Sequence, residues 1–314
     1  MKHFLISTAL IAALTAGAYA ADYTIMAPAA PGGGWDQTAR ALQQSMQDEG
    51  VSGNVQVLNV PGAGGTIGLS QFISQSAGNP NALMVGGYVM VGAILTNASP
   101  VTLADVTPIA RLTGEYEAIA VKADSPLEDV SDLVEMLKAD PGSVSWAGGS
   151  AGGADHIAAG LFAKAAGVDP TQVNYIAFSG GGESLAAILG GQVTVGISGY
   201  GEFQSQVESG DLRILAVTSE ERIDGIDAPT LKESGLDVVL QNWRSISAAP
   251  GLSDEQVAVI TADIEKVVAT ETWKNLLAER GWQDTFLAGD AFKEQLALDI
   301  TATEAILKDI GLVQ

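Results

Sequence analysis

Short apolar runs that end in a glycine-rich turn and continue into an amphipathic segment recur along this chain, and this pattern constrains its fold most. Four of the turns are PGGGWD (31–36), GGSAGG (148–153), SGGGES (179–184) and SGYGEF (198–203). Strands that alternate with helices along a chain build α/β folds. We therefore expect an α/β protein in which these turns connect strands to helices.

The apolar runs predict strands and the amphipathic segments predict helices. The predicted strands cover 23–26, 55–60, 83–85, 118–121, 144–146, 173–178, 193–197 and 214–217. The predicted helices cover 36–47, 66–76, 131–139, 154–166, 183–189, 253–270 and 290–310. The chain is too long for one average core of ~100–200 residues. We expect two lobes, the first from 21–119 plus 243–314 and the second from 120–242.

The first 20 residues, MKHFLISTALIAALTAGAYA, have the features of a secretory signal peptide. Lys2 precedes a short apolar run, and Ala18-Tyr19-Ala20 provides a cleavage site after Ala20. The apolar run is shorter than the ~20 residues that a spanning helix needs. The sequence has no cysteine, which excludes disulfides and a lipidated cysteine anchor. We expect an exported periplasmic protein without stable membrane insertion.

The formal net charge of the chain is -22. This charge argues against nucleic acid and anionic membrane surfaces as partners. A high charge also keeps a protein soluble on its own, so we expect a monomer.

Glycine-rich turns at helix starts expose backbone N–H groups and the positive end of the helix dipole, which favour an anion. A single such turn is more often only a tight turn, but its repetition predicts a binding site. The candidate ligand-binding residues are Gly32, Gly33, Gly34, Trp35, Asp36, Gly64, Tyr88, Ser150, Ala151, Gly152, Gly153, His156, Ser179, Gly180, Gly181, Tyr200 and Arg244. We expect Gly33 and Gly152 to need a positive φ or a close approach to the ligand.

Several candidates have a second interpretation. Asp36 either contacts the ligand or complements the start of its helix. His156 is either a ligand contact or a buried, hydrogen-bonded residue, and Arg244 binds a carboxylate or pairs with an acid of the chain. His156 lacks a cysteine or second histidine partner, so neither a metal nor a cofactor is expected.

GGSAG (148–152) also matches the G-x-S-x-G motif of serine hydrolases. Ser150 would then be the nucleophile, with His156 as the histidine available after the signal peptide. In that fold the histidine comes late in the chain, after the acid, so we expect a protein that is not an enzyme. GAGG (62–65) lacks the acidic residue that a dinucleotide site places ~20 positions later.

The order of PGGGWDQTAR, NVPGAGG, AGGSAGGADHIAAGLF, SGGGESLAAILGGQV, SGYGEF and NWRSISAAPG along the chain resembles the extracytoplasmic solute receptors of tripartite tricarboxylate transporters. The resemblance implies a two-lobe periplasmic binding protein of the type II-like kind, with its ligand in the cleft between the lobes. It implies that residues 32–36 and 150–153 hold a small di- or tricarboxylate through backbone amides. The extra glycine and Trp35 resemble the branch that is associated with tricarboxylates such as citrate. Delivery to integral membrane transporter subunits and reporting to a sensor kinase both stay open.

Overall fold

The computed structural model describes residues 21–179 and 181–314. The expected signal peptide and Gly180 lie outside the described residues. The described strands are β1 (Ala21–Ala27), β2 (Ser52–Asn59), β3 (Ala82–Gly87), β4 (Thr107–Lys122), β5 (Ser145–Gly148), β6 (Asn174–Ala177), β7 (Val195–Gly199), β8 (Leu212–Val217), β9 (Gln241–Ala248) and β10 (Gln283–Ala288). The described helices are α1 (Gly34–Asp48), α2 (Thr66–Ser76), α3 (Tyr88–Thr96), α4 (Val130–Ala139), α5 (Ala154–Ala165), α6 (Gly181–Leu189), α7 (Tyr200–Glu208), α8 (Asp254–Val268), α9 (Glu271–Glu279) and α10 (Gly289–Asp309).

The strands form a curled mixed sheet whose order is β2-β1-β3-β9-β4-β7-β5-β6, with β8 and β10 both paired to β4. β1 runs parallel to β2 and β3, and β5 runs parallel to β6 and β7. Each of these six parallel strands is followed by a helix. The two parallel triplets therefore repeat one βα arrangement on either side of the antiparallel strands β9 and β4. This confirms the expected two-lobe α/β fold.

β4 carries the chain from one half of the sheet to the other. Its first part, up to Tyr116, pairs with β9 and β10, and its last part, from Glu117, pairs with β7 and β8. β9 returns the chain, with Gln241 opposite Tyr116. The strands that pair with β4 therefore change between Tyr116 and Glu117, and β9 begins at Gln241. Both positions lie a few residues from the proposed lobe boundaries at 119 and 243. The end of α10 lies against the second half, since Asp309 forms an ion pair with Lys164.

The largest differences from the predicted elements lie around the crossing. β4 is 16 residues long, although only four of its residues were predicted as a strand. β9, with the sequence QNWRSISA, is not among the predicted strands and contains polar residues throughout. β9 nevertheless lies in the middle of the sheet and is almost entirely buried. Tertiary pairing thus overrides local polarity here.

Other differences come from helices without a clear polar face. α3, YVMVGAILT, is apolar on all sides because it is enclosed between the first and second halves of the molecule. Such a helix lacks the amphipathic period that identifies surface helices. α7 begins inside the SGYGEF turn. α8 ends at Val268 and a separate α9 follows, because Thr270 caps the new helix with its hydroxyl.

Candidate functional site

Six strand-to-helix turns, three from each half of the molecule, surround a cavity of about 320 Å³. The first half contributes the turns before α1 and α2 and the start of α3, and the second half contributes the turns before α5 and α6 and the junction of β7 with α7. The carboxyl ends of parallel strands are where α/β sheets bind ligands. Two such edges, facing each other, let one small molecule contact both halves.

The turn before α1 is held by the carboxylate of Asp36. Asp36 accepts hydrogen bonds from the Gly32 backbone N–H at 2.8 Å, from Asn59 Nδ2 at 2.9 Å and from Arg40 Nε at 2.9 Å. Burial raises the pKa of Asp36, but the bonds from Arg40, Gly32 and Asn59 outweigh it and keep this pKa below its usual value. Asp36 therefore positions the loop and does not line the cavity.

The turn before α5 has a similar internal arrangement. Asp155 accepts a hydrogen bond from the Gly149 N–H at 2.5 Å, and His156 Nδ1 accepts one from the Gly152 N–H at 3.1 Å. Burial lowers the pKa of His156 to about 4, so this ring is neutral at neutral pH. The His156 ring also stacks on Tyr175, with centroids 4.1 Å apart. Asp155, unlike Asp36, lines the cavity.

Arg244 of β9 lines the cavity with a cationic side chain. The residue is 2% exposed, its Nη2 pairs with the buried Glu115 of β4, and its guanidinium lies 4.9 Å from the Trp282 ring centroid. Its Nη1 is buried and has no hydrogen-bond partner within the described residues. The guanidinium lies where a Cβ of Gly34 would be, so the start of α1 can approach the cation only because residue 34 is glycine.

Two further acids lie close to Asp155. Glu202 of α7 lines the cavity, and its carboxylate lies where a Cβ of Gly181 would be. Burial raises the pKa of Glu202 to about 7, and the charge of Asp155 adds to the increase. Glu117, fully buried on β4, has a pKa raised well above its usual value by burial and by the charges of Asp155 and Glu202.

A family model described as "Tripartite tricarboxylate transporter family receptor" matches residues 38–312 of this chain. The chain belongs to this receptor family. Members of the family are periplasmic solute-binding receptors and not enzymes.

Individual relatives agree with this assignment. The chain is 25% identical over 314 residues to Protein BugT of Bordetella pertussis, covering 98% of this chain and 95% of BugT. Its fold is similar to that of the periplasmic binding protein BugD, with a TM-score of 0.84, 22% identity, and 93% and 98% of the two chains covered. It is also similar to MatC from Rhodopseudomonas palustris with bound malate, with a TM-score of 0.78, 22% identity, and 91% and 98% covered.

The receptor's cavity brings together ten of the candidate residues that the sequence indicated. These are Gly33, Gly34, Trp35, Gly64, Ser150, Ala151, Gly153, Ser179, Gly181 and Arg244. Trp35 is 7% exposed, so most of its ring packs in the core and the rest forms part of the cavity wall.

Other candidates lie outside the cavity lining. Gly32 and Gly152 support the turns through positive φ values of 88° and 75°. Tyr88 packs edge-on against Trp243, with ring centroids 6.5 Å apart. Tyr200 begins α7 and packs in the second half's core. Gly33 has an ordinary φ of -75°, so its backbone conformation does not require glycine.

Sequence reasoning missed the acids Glu115, Glu117, Asp155 and Glu202. The available signal was GEYEAIAV (114–121), in which two glutamates occupy alternate positions of an otherwise apolar strand. Alternate residues of a strand share one face, so these two carboxyl groups point the same way into a buried region. A pair of acids in such a segment indicates an internal cation or a site.

The serine hydrolase hypothesis requires a basic histidine nitrogen directed at Ser150. Nδ1 of His156 accepts from Gly152, which leaves the ring proton on Nε2. Within 21–179 and 181–314, no hydrogen bond joins Ser150 to His156 and no carboxylate orients the ring. The arrangement thus lacks the geometry of a catalytic triad.

The described residues contain neither a membrane-spanning helix nor a metal-binding group. None of their helices has the length and apolar character for crossing a bilayer. Nor do three or more of their His, Asp or Glu side chains converge as a metal-binding group.

Proposed function

We propose that this receptor captures a small di- or tricarboxylate, similar to citrate or malate, in the cavity between its lobes. The observation that carries the proposal is Arg244, which lines the cavity and whose buried Nη1 has no hydrogen-bond partner among the described residues. A buried guanidinium nitrogen without an acceptor favours a ligand that supplies one, and a carboxylate fits best. MatC, which has the same fold, binds malate.

Contacts from both lobes would stabilise the ligand-bound arrangement. One carboxylate would contact Arg244 and the amides at Gly33 and Gly34, while the other end would face Ser150 and Gly153 of the second lobe. A ligand shifts an open–closed equilibrium only by its difference in affinity for the two states. A molecule that contacts both lobes would bind the closed state more tightly than the open state, because only the closed state provides both sets of contacts.

The bound carboxylate would be delivered to integral membrane subunits of a tripartite tricarboxylate transporter. We further propose that the chain is exported, cleaved after Ala20 and present in the periplasm as a monomer. These steps follow from the signal-peptide pattern and from the family.

Thermal unfolding of residues 21–314, refolded to remove carried ligand, tests this function. The set of ligands includes malate, citrate, other di- and tricarboxylates, acidic amino acids and aromatic acids. A ligand at about 100 times its Kd adds ~2.7 kcal/mol to the free energy of unfolding and raises Tm by a few degrees. A shift confined to di- and tricarboxylates supports the proposal, and no shift with any carboxylate overturns it.

A further inference from the structure

We propose that Asn242 makes the site selective for carboxylates that also carry a hydrogen-bond donor, either a hydroxyl or an ammonium group, by accepting a hydrogen bond from that donor. This inference rests on the proposed capture of a carboxylate and narrows the class of ligand. Asn242 is not among the candidate residues that the sequence indicated.

Asn242 contributes a buried amide to the cavity wall. The residue lines the cavity and is 7% exposed. Its Oδ1 is buried and has no hydrogen-bond partner among the described residues. Buried acceptors without a donor are rare in native proteins, because each one costs the desolvation free energy of the group. A ligand in the cavity that supplies a donor would remove this cost.

Arg244 lies two positions further along the same strand, β9. Alternate residues of a strand share one face and lie about 6–7 Å apart, so one small molecule can reach both side chains. Both residues line the cavity, and the buried Nη1 of Arg244 lacks an acceptor just as Oδ1 of Asn242 lacks a donor. A ligand with a carboxylate and a donor group a few bonds apart would supply both partners. An unsubstituted dicarboxylate would supply acceptors alone.

Two acids of β4 indicate which end of the Asn242 amide is left for the ligand. Glu115 is directly opposite Asn242 in the pairing of β4 with β9, and Glu117 lies two residues further on the same face. Both carboxyl oxygens of Glu117 are buried without a partner among the described residues. Carboxylates accept hydrogen bonds, so the donating Nδ2 fits the side of the amide that faces β4. The terminal torsion of an asparagine is broad, and its rotation can direct Oδ1 to the cavity.

The test measures affinities by isothermal titration calorimetry with ligands that differ in one donor group. Malate and succinate differ by a single hydroxyl, and so do citrate and propane-1,2,3-tricarboxylate. Aspartate has an ammonium group where malate has its hydroxyl, so it distinguishes the two kinds of donor. Within each pair the carboxylates are the same, and a difference in affinity therefore reports on the donor.

The variants are Asn242→Leu, which has nearly the same shape but no acceptor, and Asn242→Ala, which leaves space instead. Asn174→Leu is the matched control, because Asn174 is exposed on β6 and lies outside the cavity lining. Tm of each variant shows whether it is folded. Asn242→Ala gives the answer if Asn242→Leu does not fold.

We expect wild type to bind malate or aspartate at least about tenfold more tightly than succinate, or citrate more tightly than its counterpart without the hydroxyl. One hydrogen bond to a buried group changes a binding constant by about this factor. Asn242→Leu and Asn242→Ala should bind the members of a pair with similar affinities. Asn174→Leu should keep the preference of wild type.

The outcomes separate this inference from the function on which it rests. If wild type binds carboxylates with no preference for those that carry a donor, the inference is wrong and the function stands. Oδ1 of Asn242 would then be satisfied within the protein, for example by a protonated Glu117. A preference that survives in Asn242→Leu or Asn242→Ala also overturns the inference, because another residue would then recognise the donor. If no carboxylate binds wild type, the proposed function itself fails.

Discussion

Arg244 of β9 and Glu115 of β4 form a buried ion pair between the two strands that connect the lobes. The side chains are 3% and 4% exposed, respectively, and the Arg244 guanidinium also stacks over Trp282. Burial of a charged side chain costs desolvation free energy, and the attraction between Arg244 and Glu115 offsets this cost for both groups. Arg244 also lines the cavity, and its buried Nη1 has no hydrogen-bond partner among the described residues.

Replacing Arg244 with Met should lower the free energy of unfolding by about 3–5 kcal/mol, because Glu115 is left as an uncompensated buried charge. Adding Glu115→Gln should restore most of this loss without restoring carboxylate binding. Denaturant unfolding and calorimetry measure the two effects. Arg222→Met, which removes an exposed pair with Glu233, should cost at most about 1 kcal/mol. Full carboxylate affinity in the double variant would show that Arg244 is not a ligand contact.

Gly34→Ala should disrupt the site, whereas Gly33→Ala should be tolerated by the fold. A Cβ at residue 34 would overlap the Arg244 guanidinium, while the nearest atom to a Cβ at residue 33 is Ala30 O, 3.7 Å away. The displaced guanidinium should cost the protein about 1–3 kcal/mol and most of its carboxylate affinity. Tm and titration of both variants check this. Equal stability of the two proteins would contradict the described packing.

Asp36→Ala should destabilise the protein by about 1–3 kcal/mol and weaken carboxylate binding, because the Gly32 N–H and Asn59 lose their acceptor. Asp129→Ala is the matched control. Asp129 caps α4 away from the cavity, and its loss should cost ~1 kcal/mol without changing the affinity. Urea unfolding measures the stability of both variants, and titration measures their carboxylate affinity. Together they separate an effect on the turn before α1 from a general loss of stability. An unchanged affinity in Asp36→Ala would show that the loop does not depend on this carboxylate.

The pKa of Asp36 also predicts an acid-sensitive contribution. Because its folded-state pKa lies below the usual 3.8, the stability that Asp36 provides is complete above that value and is lost as the pH falls through the folded pKa. Unfolding of Asp36→Ala should therefore depend less on pH below about 4 than that of wild type. Parallel curves for the two proteins in this range would contradict the shift.

Glu202 predicts a pH dependence of stability with the opposite sign. Its pKa is raised from 4.5 to about 7 in the folded state, so the native protein binds the proton more tightly than the unfolded chain. This contribution is complete below about 4.5 and is lost as the pH rises through about 7. Wild type should therefore lose stability between about pH 5 and about pH 8, and Glu202→Gln should lose less. Urea unfolding at intermediate pH values measures both, with Glu208→Gln expected to follow wild type.

Local sequence patterns predicted the six parallel strands and four of the helices that follow them, α1, α2, α5 and α6, because these four units carry an apolar run, a glycine-rich turn and an amphipathic helix. The same patterns failed at β4, β9 and α3, where the surroundings decide the structure. β9 is polar in sequence but is buried by strands on both sides. α3 is enclosed and therefore lacks a polar face.

The turns of the site were predictable, but its charges were not. Glycines that follow strands are visible in the sequence, and most of those indicated line the cavity. Glu115 and Arg244, by contrast, are 129 residues apart and meet only because β4 and β9 are neighbours. A role for Asp36 as a loop support follows from three hydrogen bonds, none of which the sequence specifies.

The central claim is that the cavity between the lobes binds a carboxylate, and calorimetric titration of wild type against Ser150→Trp tests it most directly. Ser150 lies in the cavity wall, on the turn before α5, so an indole there fills the space without removing any described core contact. We predict one bound di- or tricarboxylate per refolded wild-type molecule, no binding to Ser150→Trp, and similar Tm values for the two proteins without ligand. Equal carboxylate affinity in both proteins, or no binding to wild type, would contradict the account.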